Sequence, residues 1–121
     1  MGLFSAHEIT PAEITETYAP ILIDGETVLT AFRTLRDTAF FTTYRFVLVD
    51  VQGLTGSKVA VQSVPYRSIV RFSVETAGSF DLDADLKIWV SSAAMPIEVK
   101  ISRNSDTVAI QRLLAEKVLL K

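Results

Sequence analysis

The chain has 121 residues, of which 49% are hydrophobic and 21% charged, with a formal charge of −2 and no cysteine. That length supports one compact domain, and the composition belongs to an ordered globular protein. It excludes disulfides, thiolate nucleophiles and cysteine metal sites, and it supplies no positive field to draw in nucleic acid, which is not expected as a partner.

The first ten residues, MGLFSAHEIT, lack the basic-then-apolar order of a secretory signal. No apolar run reaches the roughly 18 residues of a bilayer span. Gly2 fails as a myristoylation site, because the pattern wants serine or threonine where Ala6 stands and Ser5 comes one place early. A cysteine-free chain of this kind is expected in the reducing cytoplasm.

Ser5 to Ile23 reads as helical, with Pro11 suited to a first turn after Thr10 and Ile14, Tyr18 and Ile21 or Leu22 forming its apolar side. Pro20 ends or kinks it, and Asp24-Gly25 marks a turn. The period then changes. Thr27 to Leu35 is a strand broken at Arg36-Asp37, Thr38 to Thr43 follows, and Tyr44 to Val51 is an almost unbroken apolar run, as for a strand buried on both faces. Gly53 and Gly56 bracket a turn before a strand from Lys58 to Val64, and Pro65 sits between strands.

The later strands alternate. Val70, Phe72 and Val74 share one side; Leu86, Ile88 and Val90 oppose Lys87 and Trp89; Ile97, Val99 and Ile101 oppose Glu98 and Lys100. Such alternation belongs to an antiparallel sheet with one wet face. Seven strands in short succession indicate a meander without βαβ units. The tail closes with a helix. Asn104 and Ser105 offer its N-cap, Asp106 suits the positive end of the dipole, and Lys117 and Lys121 suit the negative end. Its broad apolar face is Ile110, Leu113, Leu114, Val118 and Leu120.

Three stretches carry a resemblance: IDGETVLTAFRTLRD, VDVQGLTGSKV and, most specifically, VPYRSIVRFSVETAGSFDLDADLKIWV. Together they resemble the bacterial pleckstrin-homology (PH) domain family from about Ile23 to Val90. The resemblance implies a mainly β (α+β) fold, a seven-stranded antiparallel, partly open barrel capped by the C-terminal helix. Residues 26–121 are then the PH-like domain and residues 1–25 an accessory N-terminal helical segment. Tyr44 stands where family members commonly carry a lysine before the third strand.

Catalytic constellations do not assemble. His7 is the one histidine, so neither a serine triad nor a histidine metal site is available. Asp81, Asp83 and Asp85 imitate the start of a calcium loop, but Leu86 stands where that loop needs glycine and Ser92 where it needs glutamate. Gly53 and Gly56 imitate a phosphate loop, yet the lysine is one residue late and a strand follows. No cofactor, metal site or enzymatic activity is expected.

Two binding readings remain. Arg33, Arg36, Arg45 and Lys58 are the candidates for an anionic ligand such as a lipid headgroup, diluted by Asp37 and the missing lysine at Tyr44. Self-association has more behind it. Wound at about 100° per residue, the C-terminal helix shows a second apolar stripe of Val108, Ala115 and Leu119, and Trp89 sits on the wet side of its strand. Surplus apolar surface of this kind wants a partner, either the N-terminal helix or a neighbouring subunit. The resemblance implies symmetric rings. The expected function is a non-enzymatic binding or scaffold module forming a homo-oligomeric ring and recognising a protein or peptide; the alternative is a peripheral membrane module that binds anionic lipid.

Overall fold

The computed structural model describes residues 7–33, 37–53, 57–76, 83–102 and 105–120. In chain order these form a two-residue strand β1 (His7–Glu8), helix α1 (Pro11–Tyr18), strands β2 (Val28–Arg33), β3 (Thr38–Thr42), β4 (Arg45–Gln52), β5 (Lys58–Pro65), β6 (Ile69–Glu75), β7 (Asp83–Val90) and β8 (Ile97–Ser102), and helix α2 (Thr107–Leu119). The seven expected strands are β2 to β8. All ladders are antiparallel, and they make two sheets, β1-β2-β3-β4-β5 and β6-β7-β8.

The helix expected from Ser5 begins only at Pro11. Thr10 and Glu13 form a capping box, in which the Glu13 amide donates to Thr10 Oγ1 (3.2 Å) and the Thr10 amide donates to Glu13 Oε1 (3.0 Å). That box fixes the start of the helix. His7 and Glu8 are extended instead and pair with Arg33 and Phe32, while Ser5 and Ala6 lie outside the described residues.

The five-stranded sheet is buried on both faces over its middle, which explains the unbroken apolar run of β4. Across the ladder, Phe32, Ala39 and Leu48 share one face while Ala31, Phe40 and Val47 share the other. The first face, with Phe41, Phe46 and Val64, joins Leu86, Ile88, Val99 and Ile101 of the second sheet and Ile110, Leu114 and Val118 of α2 in the main core. The opposite face is covered by α1 through Ile14, with Tyr18 and Leu22 packed around it. The molecule is therefore layered as α1, sheet, sheet, with α2 closing the main core.

Three further points differ from the sequence reading. Val70 does not share a side with Phe72 and Val74: the register shifts between Ile69 and Arg71, and this bulge turns Val70 out while Ile69 is buried. The N-cap of α2 is Asp106, whose Oδ1 accepts from the Ala109 amide at 2.9 Å. Leu120 follows the last residue of α2 and lies beyond Val118, the last side chain to reach the core; it is 77% exposed. Asn104, Gly56, Asp81 and Lys121 lie outside the described residues.

Candidate functional site

Helix α2 carries the candidate surface. Its buried residues, Ile110, Leu114 and Val118, recur at intervals of four and point into the main core. About 120° round the helix lie Val108 and Leu119, which are 68% and 69% exposed, with half-buried Ala115 between them. A helix that only closed the core would show water charged or polar groups there. Exposed Arg112 and Glu116 flank the stripe, and neither takes part in an ion pair among the described residues.

Trp89 belongs to a different surface. It lies on the outer face of β6-β7-β8, opposite Arg71, and the Arg71 guanidinium sits 4.4 Å from its ring centroid. Stacking a cation on the ring covers part of it. Two ion pairs lie farther along that face, Lys87 with Glu75 at 3.2 Å and Lys100 with Asp85 at 2.8 Å. Helix α1 packs on the other sheet. The structure does not bring Trp89 and the α2 stripe together.

The four basic candidates do not converge either. Arg45 pairs with Pro65 and Lys58 with Gln52 across the β4–β5 ladder, which places the two about 23 Å apart along it. Arg33 is three strands away from Lys58 by the chain of partners Thr38, Val49 and Val61, about 17 Å. Arg33 and Lys58 are exposed, and Arg36 lies outside the described residues.

Arg45 has an internal task that the sequence reading missed. Its Nε donates to Glu26 Oε2 at 2.8 Å, its Nη2 to Glu26 Oε1 at 3.0 Å and to the Ile21 carbonyl at 2.6 Å, and its Nη1 to Ser63 Oγ at 2.7 Å. The Glu26 side chain is fully buried and that of Arg45 only 20% exposed. The Thr42 hydroxyl donates to Glu26 Oε2 at 2.6 Å, and the Ile23 amide donates to Oε1 at 3.1 Å. Tyr66 completes the cluster by donating its hydroxyl to the Thr42 carbonyl at 2.6 Å, and burial pushes its pKa well up. The cluster ties the chain after α1 to β3, β4 and β5. Gly25 makes the approach feasible: its φ is +81°, and a Cβ there would meet Tyr44 Oη at 3.1 Å.

The hydrogen bonds from Arg45 hold the Glu26 carboxyl down at about 2 from an ordinary 4.5, against the opposing effect of burial. A carboxyl depressed in the folded state stabilises it fully above the unfolded value and loses that contribution as pH falls through the folded value. Part of the molecule's stability is therefore lost between about pH 4.5 and pH 2. Urea midpoints measured across this interval should fall steeply for the natural protein and less steeply for Glu26→Gln.

Two concave features lie among the described residues. One of about 280 Å³ is lined by Ile9, Thr10, Pro11, Leu29 and Thr30, and another of about 230 Å³ by Leu29, Thr30, Asp106, Ala109, Ile110 and Leu113. Both fall below the usual size of small-molecule sites. Among the described residues no three acidic, histidine or cysteine side chains gather as metal ligands, and no helix is long and apolar enough to cross a membrane.

Comparison with known proteins agrees with this architecture. The bacterial PH domain model matches residues 1–118. The chain belongs to the bacterial PH domain family. Among Bacillus subtilis proteins, it is similar to the uncharacterized YjqA, 48% identical over 93% of this chain and 91% of that one. The uncharacterized YozO is 28% identical over 96% of each chain. A DUF1696-family crystal structure with a PH domain, from Shewanella loihica, superimposes with a TM-score of 0.83 at 41% identity, covering 95% of this chain and 98% of that one. A PH domain from Shewanella amazonensis gives 0.72 at 41% identity, over 91% and 89%. The PH match begins at residue 1, so it takes in the segment that carries α1 as well as the barrel strands. In this PH domain the Glu26–Arg45 cluster and the α2 stripe are separate features, one internal and one turned outward.

Proposed function

We propose that the protein is a non-enzymatic binding and scaffold module that assembles into a homo-oligomeric ring and recognises a protein or peptide through the surface so formed. The observation that carries this reading is the outward apolar stripe of α2, with Val108 and Leu119 exposed on a helix whose other face already fills the core. A ring also needs contact between two unlike surfaces. Val59 and Val61 on the edge strand β5, and Val70 at the β6 bulge, are exposed and supply further apolar surface. The membrane alternative is weakened by the dispersion of its cations and the engagement of Arg45 with Glu26.

Light scattering after size exclusion tests the reading. The natural protein is expected at a multiple of 13.3 kDa. Leu119→Asp is expected to lower that mass while leaving the β-sheet circular dichroism unchanged, because surface substitutions cost about 0.5 kcal/mol or less. A natural protein that runs as a monomer sinks the proposal.

A further inference from the structure

The segment before β2 crosses the five-stranded sheet as a strap, on the face away from the main core, and its two ends are held very differently. At the end that runs into β2, the Arg45 guanidinium spans a turn. It donates to the Ile21 carbonyl before Gly25 (2.6 Å) and to the Glu26 carboxylate after it (2.8 and 3.0 Å). Inside the turn the Glu26 amide donates to the Ile23 carbonyl at 3.0 Å, and the Ile23 amide donates to Glu26 Oε1 at 3.1 Å. Charge-assisted bonds are roughly twice as strong as neutral ones. This foot of the strap is clamped.

The other end is held lightly. Strand β1 pairs with β2 through His7–Arg33 and Glu8–Phe32, and the next backbone bond, from the Ile9 amide to the Ala31 carbonyl, is long at 3.4 Å. Where β1 passes into α1, the concavity of about 280 Å³ lies against Ile9, Thr10, Pro11, Leu29 and Thr30, so the joint is undercut. From residue 9 to residue 18 only Ile9 and Ile14 are buried. Segments with few buried side chains and short ladders are the first to open. Between the two ends the backbone changes its winding. Helix α1 stops at Tyr18, and a single 3-10 turn, Ala19–Ile21, follows. Pro20 has no amide to donate, so the α-helical ladder cannot run on into the clamped foot. A 3-10 turn in such a place often marks a hinge.

We infer that β1 and α1 form a strap that swings off the sheet as one unit, bending at Ala19 and Pro20 while Arg45 keeps Ile21–Glu26 clamped. Opening uncovers Ala31, Phe40, Val47 and Val49, all buried beneath the closed strap. Exposing that apolar area to water is unfavourable, so the closed form predominates and the strap returns to it. The inference stands apart from the assembly reading, because α2 closes the core on the opposite side of this sheet.

Amide hydrogen exchange on the full chain tests it. In the natural protein the amides of Ile9 and of α1 are expected to share one opening and to exchange about 100-fold faster than those of β4. The Ile23 and Glu26 amides are expected to stay slower than those of α1. The chain has no cysteine of its own, so a single engineered disulfide can lock the lightly held end. His7→Cys with Arg33→Cys joins two residues that face one another across the ladder. Oxidation of that double variant is expected to close most of the gap between the α1 and β4 amides, and reduction to reopen it. Natural α1 amides as slow as those of β4, or a gap that oxidation leaves unchanged, overturn the swinging strap. Ile23 and Glu26 amides that exchange in step with α1 overturn the clamped foot and its hinge.

Discussion

Arg45→Ala is expected to lower stability by about 3 kcal/mol, near the low end for stranding a buried charge because the guanidinium keeps some exposure, and Tm by about 10 °C. The substitution leaves the fully buried Glu26 carboxylate with the Thr42 hydroxyl and the Ile23 amide in place of a guanidinium. It also removes the donors to the Ile21 carbonyl and Ser63. The loss comes from uncompensated burial, so removing both charges should cost less than the two single changes summed. Glu26→Leu with Arg45→Met is the appropriate pair, and urea unfolding of the three variants measures the coupling. An Arg45→Ala protein within about 0.5 kcal/mol of the natural one would show that the cluster is ornamental.

The role of Arg45 also explains what a sequence does and does not disclose. Strand order, the meander and both helices were legible because each writes a periodic pattern: alternation in β7 and β8, an apolar run in β4, a four-residue recurrence in α2. The double burial of β4 was legible for the same reason; that of β3, every residue of which is buried, was not, because its threonines read as a wet face. The partnership of Glu26 and Arg45 was not, because it joins residues far apart in the chain and neither lies in a motif. An arginine at a strand end reads as solvated until the chain after α1 is seen to fold back over it.

Local failures had local causes. The Thr10–Glu13 capping box was present in the sequence and marked the true start of α1, but the polar and apolar residues before it fitted a helical period as well. The bulge at Val70 breaks an alternation that the letters alone continue without fault. Alternation in β7 puts Trp89 on the wet side of its strand, yet the Arg71 that stacks on it comes from a neighbouring strand, and cross-strand register is not written in one strand's sequence. The α2 stripe was legible throughout because a helix carries its own geometry.

Adjacent phenylalanines separate the two layers of the core, and the second large effect follows from them. Phe41→Ala is expected to destabilise the whole domain by about 4 kcal/mol. Its ring is fully buried in the main core, with its centroid 4.8 Å from that of Phe46. Phe40 points the other way, under α1, with its ring centroid 5.4 Å from that of Tyr18. Phe40→Ala should leave a comparable cavity but release α1 first, because that helix has eight residues and its one fully buried side chain is Ile14. Amide exchange distinguishes the two. In Phe40→Ala the amides of α1 should lose protection before those of β4, whereas in Phe41→Ala both should weaken together. That order would support α1 as an accessory element packed on a sheet that stands without it. Uniform loss in both variants would make α1 part of one cooperative unit and remove the distinction.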